Sequence, residues 1–222
     1  MKIEIKNIHK KYGKKEVLRG IDLVADGGKC IGILGGNGCG KSTLLSILAG
    51  IRKGDSGEFL FDGHDMFRYP AERAKIVGYV PQGTPLIEEL SAKDNLSLWY
   101  SKNEMEKELH GGVLDMLGIS GFLNTTVSKM SGGMKKRLSI GCAVAKRPPV
   151  LLLDEPMAAL DLVCKKNISE YLNRHKADGG IILLSTHDIL ELALCDEWYI
   201  IKEGKLTPFD YTGDVDELVR NL

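Results

Sequence analysis

Apolar and polar residues along this chain of 222 residues follow two different periods. The first stretch consists of short apolar segments, Lys2 to His9, Val17 to Val24 and Cys30 to Leu34, parted by Gly-containing turns. Met1 to Ile5 alternates apolar with polar, and the whole stretch predicts strands. From Lys41 to Ala49 the spacing turns helical: Leu44, Leu45 and Leu48 share one side, and Gly50 supplies the stop. Strands return at Glu58 to Phe61 and Ile76 to Val80. Ser91, with Asp94 three residues on, reads as a capping box. It opens helical patterning over Asp94 to Tyr100, Glu104 to Leu117 and Met134 to Ala145. Beyond Pro148-Pro149 the runs Val150 to Leu153 and Ile181 to Leu184 are continuously apolar, as in strands covered on both faces. Between them Asp161 can cap a helix reaching about His175, and Asp214 to Leu222 reads as a short terminal helix.

These elements predict one α/β domain over residues 1–222. Its core spans roughly 1–87 and 148–222, and a helical insert occupies 88–147. A hydrophobic fraction of 43% and a charged fraction of 27% exclude a disordered, collagen-like or disulfide-stapled chain. Thirty basic and thirty acidic residues cancel, so no global field gathers nucleic acid, and a nucleic-acid partner is not expected. Cys30, Cys39, Cys142, Cys164 and Cys195 form no C-x-x-C pair, which predicts reduced thiols in a cytosolic protein and no zinc site. The N-terminus lacks the apolar stretch of a signal peptide. No apolar run approaches the roughly 20 residues of a bilayer-spanning helix, so at a membrane another chain would do the spanning.

Glycine is the compositional outlier: 26 residues, about 12% of the chain against an average of roughly 7%. Several fall in Gly35-Gly36-Asn37-Gly38-Cys39-Gly40-Lys41-Ser42, a G-x-x-x-x-G-K-[ST] loop directly after a predicted strand and before a predicted helix. Glycines there let backbone N–H groups turn around phosphate oxygens, and the helix N-terminus adds partial positive charge. Lys41 can reach the β- and γ-phosphates, and the Ser42 hydroxyl can ligate Mg²⁺. A Gly-rich turn with a surface lysine is a poor alternative in this context, and Cys39 is most simply a small loop residue.

A second motif follows 113 positions after Lys41, where Asp154 and Glu155 end the run Val150 to Leu153. Asp154 can hold a Mg²⁺ hydration shell and Glu155 can polarise an attacking water as general base. Between the two motifs stands Met130-Ser131-Gly132-Gly133-Met134, a Ser-Gly-Gly step opening a predicted helix. Alone it would be an ordinary helix cap; beside the phosphate loop it is a second anion-binding device.

With these motifs in this order, the sequence resembles the nucleotide-binding subunit of an ATP-binding cassette (ABC) transporter over essentially its whole length. The resemblance implies a P-loop NTPase core with an N-terminal antiparallel β-subdomain and an inserted α-helical subdomain. Tyr12 stands where the family stacks an aromatic on adenine. Gly35, Asn37, Gly38, Cys39, Gly40, Lys41, Ser42 and Thr43 form the Walker A site. Gln82, after Tyr79-Val80-Pro81, resembles the Q-loop glutamine, which would join Ser42 and Asp154 at Mg²⁺. Ser131, Gly132 and Gly133 match the signature, Asp154-Glu155 the Walker B motif, Ala159-Leu160-Asp161 the D-loop, and His187 the switch histidine. Alone, Tyr12 would be a strand-end aromatic, Gln82 a turn residue, His187 a structural hydrogen bonder and Asp161 a helix cap. Met130 and Met134 depart from the usual Leu-Ser-Gly-Gly-Gln, so a contact from the Met134 side chain to nucleotide is in doubt. Ser-Gly-Gly-Met is similar to the step of stand-alone export ATPases for drugs, bacteriocins or polysaccharides, which points to an exporter.

The resemblance therefore implies an ATPase with Mg²⁺ as its ion, peripheral on the inner face of the cell membrane and partnered by a separate transmembrane permease subunit. It implies a head-to-tail dimer with a second cassette, either a copy or a paralogue, in which Glu155, Gln82 and His187 serve catalysis. The segment from Gln82 to about Leu98 is then the transmission surface. A soluble ABC ATPase that remodels a protein or nucleoprotein complex is the competing reading; a single cassette without coiled-coil insertion or basic patch weighs against it. A P-loop small-molecule kinase fails on the Ser-Gly-Gly step and the spacing of Lys41 and Asp154.

Overall fold

The structure, a computed structural model, describes residues 1–158, 160–186 and 188–221. Its first two strands, β1 (Lys2–Tyr12) and β2 (Lys15–Asp26), pair antiparallel and bury Ile3, Ile5 and Ile8 against Leu18, Ile21 and Leu23. β3 (Cys30–Leu34) is buried along its whole length and leads through the Gly-rich loop into α1 (Lys41–Leu48). β4 (Ser56–Phe61) and β5 (His64–Asp65) complete a four-stranded antiparallel sheet in the order β2-β1-β4-β5. α2 (Pro70–Ile76) then feeds β6 (Val77–Val80).

The helical part follows as α3 (Ala92–Ser97), α4 (Lys102–Leu109), α5 (Val113–Met116), two 3-10 turns and α6 (Gly132–Ala143). The chain continues through β7 (Val150–Asp154), α7 (Leu162–Ala177), β8 (Ile181–Ser185) and α8 (Ile189–Leu192). It ends with β9 (Glu197–Lys202), β10 (Lys205–Phe209) and α9 (Val215–Asn221). The second sheet runs β10-β9-β3-β8-β7-β6, parallel except for the β10–β9 hairpin.

The period of two in β7 and β8 divides the core. Val150, Leu152, Ile181 and Leu183 pack toward α1 and the antiparallel sheet, while Leu151, Leu153, Ile182 and Leu184 pack toward α6 and α7. Burial on both faces explains why these strands read as unbroken apolar runs. The fold is the mixed α/β class expected of a P-loop NTPase, with the ends of β3 and β7 two strands apart in one parallel sheet.

Three elements correct the sequence-based expectation. Glu104 to Leu117 is two helices: Gly111 at φ 97° leaves helical space, and Glu108 turns back to accept the Val113 N–H at 2.9 Å. α2 escaped notice because it buries none of its residues, although Pro70 at its first turn is a start signal. The β9–β10 hairpin turns on Glu203 and Gly204, both at positive φ, in place of the more conspicuous Asn-Gly pair. The capping box at Ser91 and Asp94 is present, and Ser101 with Glu104 forms a second.

Tyr100, just beyond α3, fastens the segment joining α3 to α4 onto α6 by donating its buried hydroxyl to Gly141 O at 2.8 Å. We expect Tyr100→Phe to lower unfolding free energy by about 1–2 kcal/mol, measured by urea denaturation, because one carbonyl loses its partner while the packing volume stays.

Candidate nucleotide-binding site

The Gly-rich loop closes on its own lysine. The Lys41 ammonium, on a residue only 6% exposed, donates to Gly35 O at 2.6 Å and Gly36 O at 3.4 Å. Gly35 has φ 145°, and a Cβ there would meet Ile201 O at 2.6 Å. Gly40 has φ 122°, and a Cβ there would meet Leu18 Cδ2 at 2.8 Å. Neither position tolerates a side chain, which accounts for two of the motif's glycines. The first helical bond of α1 runs from Leu44 N–H to Gly40 O at 2.8 Å. The amides of Lys41, Ser42 and Thr43 therefore precede the ladder, in the anion-binding first turn of a helix.

A cleft of about 780 Å³ runs from this turn to the helical part, lined by Ser42, Thr43, Tyr79, Gln82 and Asp154 among others. Asp154 is buried at the end of β7, and its carboxylate accepts the hydroxyl proton of the buried Ser185 on β8. Glu155 stands at φ 50°, a left-handed conformation rare for a non-glycine residue. Its N–H donates to Ser185 O at 3.0 Å, and its carboxylate accepts from Gln82 Nε2 at 3.1 Å. The next turn is held by Glu191, whose buried carboxylate accepts the Met157 N–H at 2.7 Å; burial pushes its pKa above the usual carboxylate range. The Tyr79 hydroxyl is pushed up to about 12 by burial and by the nearby Asp154 charge, so it remains a proton donor toward the cleft.

The remaining residues lie outward from this centre. Tyr12, exposed at the end of β1, accepts a hydrogen bond from Arg52 Nη1 at 3.2 Å. Its ring lies 5.5 Å from the Lys10 ammonium and 6.0 Å from the Arg52 guanidinium, and Arg52 itself lines the cleft. Ser131 caps α6, accepting from Met134 N at 3.2 Å, with Gly132 exposed beside it and Gly133 half-buried. Asp161 caps α7, accepting from Cys164 N at 2.8 Å, and these bonds hold its pKa below the usual range. Asn37 and Gly38 are exposed in the phosphate loop and Cys39 is half-buried. His187 and Ala159 of the D-loop lie outside the described residues.

The fold thus brings Ser42, Thr43, Gln82, Asp154 and Glu155 together and leaves Ser131 and Asp161 at separate helix starts. Hydroxyl, amide and carboxylate oxygens on one cleft fit a hard cation such as Mg²⁺. Ser185, Glu191, Tyr79 and Lys136 escaped the sequence reading. Only Lys136, a charge within the apolar spacing of its helix, left a signal there.

Fold and site together define a P-loop nucleotide-binding cassette. The family described as ABC transporter matches residues 18–158 of this chain. The spermidine/putrescine import ATP-binding protein PotA of Mesoplasma florum is 34% identical over 226 residues, 99% of this chain and 64% of that protein. The linearmycin resistance ATP-binding protein LnrL of Bacillus subtilis is 32% identical over 92% of this chain and 67% of its own length. A solved ATP-binding subunit of an ABC transporter superposes with a TM-score of 0.86 at 28% identity, over 100% of this chain and 93% of that one. A dimeric ATP-binding cassette in a post-hydrolysis state, bound to ADP and Pi, superposes with a TM-score of 0.80 at 28% identity, over 94% and 99%. The chain belongs to the ABC transporter ATP-binding family, and it spans about two thirds of the length of its polyamine-import relative. An import protein and a resistance protein both stand among these relatives, so the comparison lends no support to the expectation of export.

Proposed function

We propose that this chain binds and hydrolyses MgATP to drive a membrane transporter, working as one half of a head-to-tail pair of cassettes. The observation that carries this reading is the Gln82–Glu155 contact of 3.1 Å beside a cleft shared by Ser42, Thr43 and Asp154. It sets a carboxylate and an amide where a water could be held against a γ-phosphate.

In this reading Lys41 leaves its loop carbonyls to bind β- and γ-phosphate oxygens, and the α1 amides take the rest of the charge. Tyr12 stacks on the base. Ser42, Gln82 and Asp154 would hold Mg²⁺, which would neutralise phosphate charge when bound. Glu155 takes the proton from water as its oxygen attacks the γ-phosphorus and ADP leaves, with Gln82 and His187 orienting the reactants. Ser131, Gly132 and Gly133 cap the γ-phosphate of the partner cassette, and Asp161 faces that junction. The phosphate loop follows β3 and the signature opens α6; in this reading one nucleotide meets the loop of one cassette and the signature of the other, whether a copy or a paralogue.

Ile87, Leu98 and Trp99 are exposed at the wall of the same cleft. Exposed apolar side chains at a cleft wall suit a protein contact; in this reading they meet the separate transmembrane subunit, with the chain peripheral on the inner face of the membrane. Among the described residues no helix is long and apolar enough to cross a bilayer.

Sedimentation of the Glu155→Gln chain tests the pairing. The expected result is a monomer without nucleotide and a dimer with MgATP. A strictly monomeric chain at high concentration in MgATP overturns a sandwich of two copies of this chain.

A further inference from the structure

Lys136 is five residues beyond the Ser131 cap of α6 and points inward, on a residue only 5% exposed. Its ammonium donates to Pro81 O at 2.9 Å and approaches Asp154 O at 3.4 Å and Gln82 O at 3.5 Å. Three carbonyls match the three protons of an ammonium group. Burial pulls its pKa below the usual lysine value, against the opposing pull of Asp154, Glu191 and Glu155. A buried cation is costly, and here hydrogen bonds to three carbonyls that would otherwise lose a donor offset that cost. That supplies a structural reason for the lysine.

Its acceptors give a second one. The Asp154 carbonyl belongs to the peptide group whose N–H is that of Glu155, and this N–H is itself fixed to Ser185 O at 3.0 Å. One peptide plane is thus gripped from both sides, and it sets the left-handed φ of 50° from which the Glu155 side chain departs. Such a conformation persists where its surroundings over-determine it. The other two carbonyls flank the α-carbon of Gln82, whose amide meets the Glu155 carboxylate. Lys136 therefore touches the backbone on both sides of that pair, from the helix whose first residues carry the signature.

We propose that Lys136 is a positioning residue for ATP hydrolysis, an ammonium staple that holds the backbones of Gln82 and Glu155 in register and ties that register to the signature helix. The proposal rests on the reading of Glu155 as base and Gln82 as its orienting partner.

Its test compares Lys136→Met, Lys136→Gln and Lys136→Arg in the full chain by steady-state MgATPase, nucleotide titration and amide hydrogen exchange without nucleotide. The expected kcat of Lys136→Met is about 10- to 100-fold lower, the range that a small misplacement of reacting groups produces. KM and nucleotide Kd should stay within about threefold, because no atom of Lys136 belongs to the phosphate loop. Exchange should quicken over residues 82–86 and 154–157 and stay unchanged in α1 and β3. Lys136→Arg should recover part of kcat, and Lys136→Met should add less than about threefold to the loss in Gln82→Ala. If Lys136→Met fails to fold, Lys136→Gln is read in its place. A wild-type kcat overturns the proposal, as does a loss of kcat accompanied by lost nucleotide affinity and faster exchange throughout, which is the mark of a merely structural lysine. Glu155→Gln is assayed alongside: activity in that variant sinks the base assignment, whereas an inactive Glu155→Gln beside an active Lys136→Met sinks the staple alone.

Discussion

Glu155→Gln should cut the steady-state ATPase rate by about 10²- to 10⁴-fold, the span assigned to a lost general base, equivalent to about 3–5 kcal/mol of barrier. Several features make this variant a clean probe. Glutamine has nearly the shape of glutamate, and its amide oxygen can still accept from Gln82 Nε2, now at 3.1 Å from the carboxylate. The backbone that sets the side chain's direction is fixed independently, by the Glu155 N–H on Ser185 O and by Glu191 on the Met157 N–H. Asp154, the proposed Mg²⁺ ligand, has its own anchor in the Ser185 hydroxyl. Nucleotide affinity should therefore stay within about threefold while turnover collapses, and single-turnover hydrolysis of bound ATP measures the chemical step directly. Turnover near the wild-type rate would remove Glu155 from that step.

The sequence made the phosphate-handling part of this site legible because phosphate chemistry constrains backbone as well as side chains. Gly35 and Gly40 are required by positive φ and by atoms within 3 Å of where a Cβ would sit, so the loop is visible as a glycine pattern. The buried strands ending at Asp154 and Ser185 were equally plain, since burial on both faces removes polar residues altogether. What stayed hidden belongs to pairings between distant elements. Ser185 is meaningful only because β7 and β8 are neighbours, and Glu191 only because α8 packs over the turn at Met157. Lys136 matters only because α6 lies against the ends of β6 and β7. The short helices of the 88–147 region were blurred for a related reason: an 8-residue α4 exposing most of its surface carries little periodicity, and only the Gly111-Gly112 step parts it from α5. Tyr12 shows the opposite case, a residue singled out by position whose surroundings, two cations at its ring, only the structure supplies.

Lys41→Ala should lower nucleotide affinity by about 100-fold or more. Charge-assisted hydrogen bonds to a phosphate are worth about 1.5–3 kcal/mol each, and a lysine buried beneath its own loop meets little competition from water. The two carbonyls it now engages, Gly35 O and Gly36 O, also lose their donor, so the loop itself should loosen in the variant without nucleotide. These two effects are separable through linkage between binding and stability. At ATP 100 times the wild-type Kd, the intact chain gains about 2.7 kcal/mol of unfolding free energy, whereas a chain binding 100-fold more weakly gains only about 0.4 kcal/mol. Unfolding with and without ATP thus yields a nucleotide-dependent difference from which the loop's own loosening cancels. Lys41→Arg should fare little better than alanine, because a planar guanidinium is too broad for the space beneath Gly35 that an ammonium occupies at 2.6 Å from the carbonyl. A full nucleotide-dependent stabilisation in Lys41→Ala would place the phosphates elsewhere than on this loop.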